Sequence, residues 1–276
     1  MEQSLVIGCA VHNNLKYTKL FLESIKCSYP YEILIVDNGS TDGTTDWLKE
    51  SKHNCIFYNK NMGFGCAYND ALDYAFKNSD KLLLWCGNDI VFRPESVNHM
   101  VQALLSTDYE MFCGNEILNK EILSTESGRR SMDNFKYKFS FDESKSVDLS
   151  YSYGGMNHSC IIRKKSVFEK VGYYDVHFYP AYFEDNDYAK RCDLAHIKYG
   201  TVESAIFYHF WSRTIHEGGM KEINDRRFDA NRQYYFAKWG GYVGQEKYVK
   251  PFNYLANELS IFSRADEAQI LGRFGI

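Results

Sequence analysis

No run of 18 apolar residues occurs in the 276-residue chain, so a spanning helix is excluded by the usual length criterion. The first residues, MEQSLVIGCAVHNN, carry no basic n-region and no long apolar h-region, and no signal peptide is expected. No C-x-x-C pair occurs among the eight dispersed cysteines (9, 27, 55, 66, 86, 113, 160, 192). Disulfide frameworks and zinc sites show tighter spacing, which favours reduced thiols in a cytoplasmic protein. Positive charge is also short. A net charge of −4 and a pI near 6.1 give no global field to recruit nucleic acid or an anionic membrane. Internal repeats and low-complexity tracts are missing as well.

What is present suits one large domain, or a domain with an appended helical tail. The hydrophobic fraction of 45% is ample for a core. The 22 Tyr and 19 Phe must mostly fill that interior, although aromatic faces also suit sugar rings and bases.

The first hundred residues alternate between two patterns. SLVIGCAV (4–11), YEILIVD (31–37), NCIFYN (54–59), KLLLWC (81–86) and EMFCGN (110–115) have strand length, and the first two are apolar throughout, as strands buried on both faces are. Between those two, Tyr17, Phe21 and Ile25 recur every four residues and mark a helix face. AYNDALDYAFK (67–77) reads as a helix with Ala67, Ala71, Tyr74 and Ala75 on one side. PESVNHMVQALL (94–105) reads as another, opened by Pro94. This alternation predicts an α/β fold with a mainly parallel central sheet flanked by helices. Residues 116–150 break the pattern and read as a long polar loop. A strand and a short helix follow over 154–175, and from about 220 the pattern is helical with mixed charge. The expected division is a domain over 1–215 with a short C-terminal helical extension over 216–276 packed on it.

In an open α/β sheet, ligands bind beyond the carboxyl ends of the strands. Those ends carry His12-Asn13-Asn14, then DNGSTDGT (37–44), then NKNMGFGCAYN (59–69), then GND (87–89). All are small, polar or acidic, as a phosphorylated, hydroxylated ligand requires. Asp37 ends an apolar strand. Its carboxylate either accepts an N–H from a pyrimidine base or joins residues 38–43 in a turn and helix cap. A ligand lacking that donor would leave it unpaired, at about 1–3 kcal/mol.

Gly63-x-Gly65 before a helix lets backbone amides approach phosphate. Tyr68 stands where a dinucleotide fingerprint needs its third glycine, and the motif does not follow the first strand, so a Rossmann dehydrogenase is excluded. Asp89 offers a hard oxygen ligand for a divalent cation. His209, near the end of AIFYHFWS (205–212), is either a second ligand or a structural histidine. YFEDNDYAKRC (182–192) crowds Glu184, Asp185 and Asp187 into four residues, which a helix N-terminus tolerates.

Taken in order, VDNGSTDGT (36–44), NMGFGCAYN (61–69), LLLWCGNDI (82–90), GYYDVHFYPAYFEDNDYAKR (172–191) and YHFWSRT (208–214) resemble the motifs of family 2 glycosyltransferases with the GT-A fold, especially their rhamnosyltransferase-like branch. The resemblance covers residues 4 to about 214. It implies an inverting, metal-assisted glycosyltransferase moving a sugar from a nucleoside-diphosphate donor (UDP or dTDP) to a hydroxyl acceptor, such as a glycan or lipid-linked glycan. It places Asp37 on the nucleobase. His12, Asn13, Asn38, Asn61, Gly63, Phe64, Asn69, Asn88, Asp89 and Gly155 would surround the nucleotide and donor sugar. Asp89 and His209 would hold Mn²⁺ or Mg²⁺.

Asp185 matches the catalytic base, its pKa raised by the neighbouring acids and by apolar Tyr182 and Phe183. Glu184 would orient a sugar hydroxyl or a backbone amide, and Tyr182, Trp211 and Asp187 would face the acceptor. Gly87 departs from the family, standing where the Asp-x-Asp motif has its first acid. That departure motivates an alternative, a catalytically silent member that only binds nucleotide sugar or glycan. A nucleotidyltransferase would need a Gly-rich, Arg/Lys-containing loop after the first strand, where this chain reads VHNNLKY. The C-terminal helices and the 116–150 segment are expected to set acceptor choice or homo-oligomerisation.

Overall fold

Apolar runs too short for helices settle into extended chain, and their pairing builds the sheet on which the molecule rests. The computed structural model describes residues 4–117, 148–154, 156–253 and 263–276, so most of the expected 116–150 loop, and Gly155, lie outside the described residues. β1 (Leu5–Val11), β2 (Tyr31–Asp37), β3 (Asn54–Phe57) and β4 (Leu82–Gly87) run parallel in the order β3-β2-β1-β4. α1 (Leu15–Ser24), α2 (Thr44–Glu50) and α3 (Phe64–Phe76) alternate with them.

β1 shows why its run is apolar throughout. Leu5, Ile7, Cys9 and Val11 join one core with Phe21 and Ile35, while Val6 joins a second core with Leu34, Ala71 and Trp85. Gly8 clears space for Trp85, since a Cβ there would lie 2.8 Å from the indole ring. α3 begins three residues earlier than its alanine pattern suggests, because the positive φ of Gly63 (85°) turns the chain into the helix at Phe64.

The later elements are β5 (Ile90–Phe92), α4 (Ser96–Ser106), β6 (Met111–Glu116), β7 (Ser152–Tyr153), β8 (Cys160–Arg163), α5 (Lys165–Val171), α6 (Glu184–Leu194), β9 (Tyr199–His209), α7 (Arg213–His216), α8 (Lys221–Trp239) and α9 (Glu267–Gly272). They complete the sheet as β3-β2-β1-β4-β8-β6-β9-β5, with β7 on β9. β8 lies antiparallel between β4 and β6, whereas β6 and β9 are parallel. The α/β sheet flanked by helices is therefore as expected, its first four strands wholly parallel and its second half mixed. Among the described residues no helix is long and apolar enough to cross a membrane. All eight cysteines are free thiols.

The 216–276 segment enters the interior. Lys238 of α8 is fully buried, with its ammonium 2.7 Å from both Asp175 and Asp187. Asp187 also accepts from Trp239 Nε1 at 2.9 Å and from Arg191 Nε at 2.9 Å. Asp175 accepts from Tyr234 at 2.9 Å and from His177 Nδ1 at 2.7 Å. Burial alone would raise the Asp175 pKa, but Lys238 and His177 hold that carboxyl well below the usual carboxylate range. Two acids facing Lys238 and Arg191 give a neutral, hydrogen-bonded cluster, the condition under which buried charge is tolerated.

Replacing Lys238 with Met should leave two buried carboxylates short of a cation. The expected loss is about 3–5 kcal/mol of folding stability, read as a lowered urea midpoint. A loss under about 1 kcal/mol would show that the cluster does not hold α8 in place.

Candidate active site

The loops that leave β1, β2 and β4 meet the N-terminus of α6 around a cleft of about 490 Å³. His12, just past β1, places Nδ1 2.8 Å from the Asn38 carbonyl. The Asn38 side chain then ties two loops together, accepting from Met62 N at 2.6 Å and donating to the Gly63 carbonyl at 3.1 Å. Asn61 accepts the Gly63 N–H at 2.9 Å. A Cβ on Gly63 would lie 2.9 Å from the Tyr179 ring, so glycine is required both by its φ and by this approach. Phe64 N donates to the Pro180 carbonyl at 2.8 Å and joins this wall to the acidic one.

Asp89 and His209 form a second corner. Asp89 Oδ1 lies 3.2 Å from His209 Nε2, and Asp89 Oδ2 accepts the Arg213 N–H at 3.2 Å. Glu116 lies 3.6 Å from the other imidazole nitrogen. Burial opposes charge on both partners. The imidazole nevertheless lowers the Asp89 pKa, and the two carboxylates raise that of His209 to about 9. Gly87 opens onto the same corner, where a Cβ would lie 2.9 Å from Asp89 Oδ1 and 3.9 Å from His209 Nε2. Among the described residues no group of three or more His, Cys, Asp and Glu side chains is gathered for a metal. One carboxylate and one imidazole fit a divalent ion only if its other ligands come from a diphosphate and water. Such an ion would have to displace the imidazole proton.

The third wall is the acidic one. Tyr182 and Phe183 each have φ 73°, a costly conformation for aromatic residues. It is held from α8, where the buried Asn231 amide donates to the carbonyls of Phe178 (2.9 Å), Tyr179 (3.2 Å) and Ala181 (3.0 Å). Glu184 and Asp185 follow at the first turn of α6. Burial, then Asp185 and Asp187, push the Glu184 carboxyl well above its ordinary pKa. Burial also raises Asp185, against the pull of the Asn186 N–H at 2.7 Å.

Residues 7–172, more than half of the chain, match the family described as Glycosyl transferase family 2. The chain belongs to that family. Among solved structures it is similar to the mannosyltransferase PcManGT from Pyrobaculum calidifontis in complex with GDP-Man and Mn²⁺, with a TM-score of 0.55 and 14% identity over 83% of this chain and 64% of that one. It is also similar to S. aureus TarS (TM-score 0.54, 14% identity, 85% of this chain and 42% of that one). TarS 1-349 in complex with UDP matches at a TM-score of 0.53 and 14% identity, over 99% of this chain and 70% of that one. At such identity the likeness shows the GT-A fold alone, and the chain spans less than two thirds of the first two neighbours. No curated protein matches it significantly.

Of the positions the family resemblance singles out, His12, Asn38, Asn61, Phe64, Asn88, Asp89, Tyr182, Glu184, Asp185 and His209 line the one cleft. Others stand elsewhere. Asn69 is fully buried and clamps Tyr174, accepting its N–H at 2.7 Å and donating to its carbonyl at 2.9 Å. Asp187 is the anion of the Lys238 cluster and is closed to an acceptor. Asp37 is buried and accepts from Ser40 N at 3.0 Å and from the Thr45 hydroxyl, the turn-and-cap role. Asn13 accepts from Thr41 N at 2.7 Å and donates to the Gly218 carbonyl at 3.1 Å, outside the cleft lining. Gly63 acts through the backbone of its loop. Trp211 is 43% exposed and donates Nε1 to Glu116 at 2.6 Å.

Sequence reading passes over Asn224, Asn231, Glu116 and His158. The first two sit on a helix whose polar, mixed-charge pattern gives no apolar stripe to flag buried positions. His158 falls just past the 154–157 stretch that the resemblance sets beside the pocket, in a loop whose place against the sheet only tertiary pairing reveals.

The raised Glu184 pKa carries a signed consequence. The folded chain keeps a proton that the unfolded chain releases near pH 4.3. The stability this contributes is complete below that value and is lost as pH rises through the raised folded pKa. Glu184→Gln should therefore gain on wild type in denaturation midpoint as pH rises above about 4.3. Parallel pH profiles for the two proteins would refute burial as the cause.

Proposed function

We propose that the chain is an inverting glycosyltransferase moving a sugar from a UDP or dTDP donor to a hydroxyl acceptor, with Asp185 as general base. The observation that carries this reading is convergence. Asp89 and His209, at the ends of β-strands, and Glu184 and Asp185, at the start of α6, line one cleft. Its volume of about 490 Å³ lies within the range of small-molecule sites. The loops tied by Asn38, Asn61 and the backbone of Gly63 would carry the nucleotide. The rhamnosyltransferase-like branch is the placement that the Gly87-Asn88-Asp89 stretch and the YHFWSRT motif support.

In this mechanism the acceptor hydroxyl gives its proton to the Asp185 carboxylate as its oxygen bonds to the anomeric carbon. The bond from that carbon to the phosphate oxygen breaks, and the nucleoside diphosphate leaves with the electron pair. Burial makes Asp185 a stronger base than a free aspartate. The strained turn at Tyr182 and Phe183, clamped by Asn231, fixes where that carboxylate points. Mn²⁺ or Mg²⁺ held at Asp89 and His209 would supply Lewis-acid stabilisation of the departing diphosphate. The 216–276 segment belongs to the catalytic unit, and the free thiols of the rest of the chain support a cytoplasmic setting. A glycan or lipid-linked glycan is the acceptor class this reading names.

Gly87, which removes one acid from the metal corner, supports the second reading of a silent nucleotide-sugar binder. Asp185→Asn should lower transfer by about 10²–10⁴-fold while sparing nucleotide affinity measured by calorimetry. Asp89→Ala should weaken Mn²⁺-dependent nucleotide binding. Equal transfer rates for Asp185→Asn and wild type would remove the base assignment. Nucleotide that binds but is never released from a sugar donor, with either metal, would favour the silent binder.

A further inference from the structure

Two deeply buried polar side chains belong to the cleft wall and have atoms left unpaired among the described residues. Glu184 is 7% exposed and Asn224 is 4% exposed. Both line the cleft. Glu184 Oε2 and Asn224 Oδ1 have no hydrogen-bond partner among the described residues. An orphaned buried polar atom costs about 1–3 kcal/mol, and native chains keep few of them. Two in one cleft mark places where a ligand supplies the missing bonds.

The surroundings define that ligand. The acid beside Glu184 is Asp185, and no ion pair reaches Glu184 among the described residues. A ring bearing a carboxylate would meet like charge. Burial favours the protonated Glu184 carboxyl, which both donates and accepts, as an amide does. Hydroxyl groups satisfy both side chains because each O–H also donates and accepts. Met156, Ile215 and Met220 line the same cleft and suit the C–H face of a pyranose. Asn224 lies on α8, beyond the residues 7–172 that match the family.

We infer that Glu184 and Asn224 form a hydroxyl-recognition subsite for one neutral pyranose ring, either the sugar being transferred or the terminal sugar of the acceptor. The inference rests on the glycosyltransferase reading. It also explains why the extension is folded into the domain: α8 delivers half of the subsite.

The test compares wild type with Asn224→Ala, Glu184→Leu and Glu184→Gln. Asn224→Ala removes no side-chain hydrogen bond seen among the described residues, and Glu184→Leu removes only the carboxyl's contact with its own backbone N–H, so ligand-free melting temperatures should be unchanged or raised. In one arm, calorimetry with Mn²⁺ measures UDP and dTDP against UDP-glucose, UDP-galactose and dTDP-rhamnose. In the other, saturation-transfer NMR measures the methyl pyranosides of the same sugars with nucleotide present. Asn224→Ala and Glu184→Leu should lose about tenfold in sugar-dependent affinity, the scale of one hydrogen bond. Glu184→Gln should keep most of it, and bare-nucleotide affinity should hold throughout.

A loss in the first arm assigns the ring to the donor, and a loss in the second assigns it to the acceptor. UDP-glucuronate should bind about tenfold or more weakly than UDP-glucose, from like-charge contact. Sugar-dependent affinity within twofold of wild type in both damaging variants overturns the subsite. So does the absence of any sugar contribution in either arm while nucleotide binds. Failure of bare nucleotide to bind wild type overturns the transferase reading itself, and the subsite with it.

Discussion

The contact on which the rest depends is the Lys238 ammonium held between Asp175 and Asp187. One carboxylate belongs to the segment leading into the strained turn, the other to the first turns of α6, and the cation to α8. A single buried charge thus fixes the relative positions of three pieces of chain. Two of them present cleft residues, Glu184 and Asp185 from α6 and Asn224 from α8. Buried ion pairs are seldom a gain over apolar packing of the same volume. Their value lies in tolerating one arrangement only, which suits a site whose acids must keep their orientation.

The electrostatics of the cleft divide accordingly. At the Asp89 corner each charge has an opposite partner, and Asp89 stays ionised although buried. At the α6 corner burial acts on Glu184 and Asp185 with no ion-pair partner among the described residues, so both carboxyls are pushed upward. Two kinds of carboxylate in one cleft allow one to face a phosphate or metal and the other to handle a proton.

Much of this was readable from residues alone, for a physical reason in each case. β1, β4 and the Leu34–Val36 part of β2 are buried on both faces, so their positions had to be apolar and the strands stood out. The strand-end loops were legible because parallel topology gathers carboxyl ends on one side. Asn69 and Asp187 misled because a polar residue inside a motif looks the same whether it meets a ligand or a backbone carbonyl. Asn69 turned out to clamp Tyr174, and Asp187 to bind Lys238. The contribution of α8 was invisible because three of its five buried residues, Asn224, Asn231 and Lys238, are polar, and only Tyr235 and Trp239 are aromatic. Their burial is set by partners distant in sequence, and periodicity carries no trace of it.

Four pairs of adjacent non-glycine residues hold positive φ: Asn13-Asn14, Tyr182-Phe183, Trp211-Ser212 and Phe252-Asn253. The first three are linked beside the cleft, Tyr182 to Ser212 at 3.3 Å and Asn14 to the Arg213 carbonyl at 3.2 Å. Local discomfort of the main chain is thus shared by three joined turns in a ring beside the opening. Glycine at 182 or 183 would relax that ring, yet it would also strip away the aromatic contacts with Phe228 at 5.5 and 5.2 Å. A sequence redesigned solely for robustness would be drawn toward that exchange, and would trade a stiff rim for a slack one.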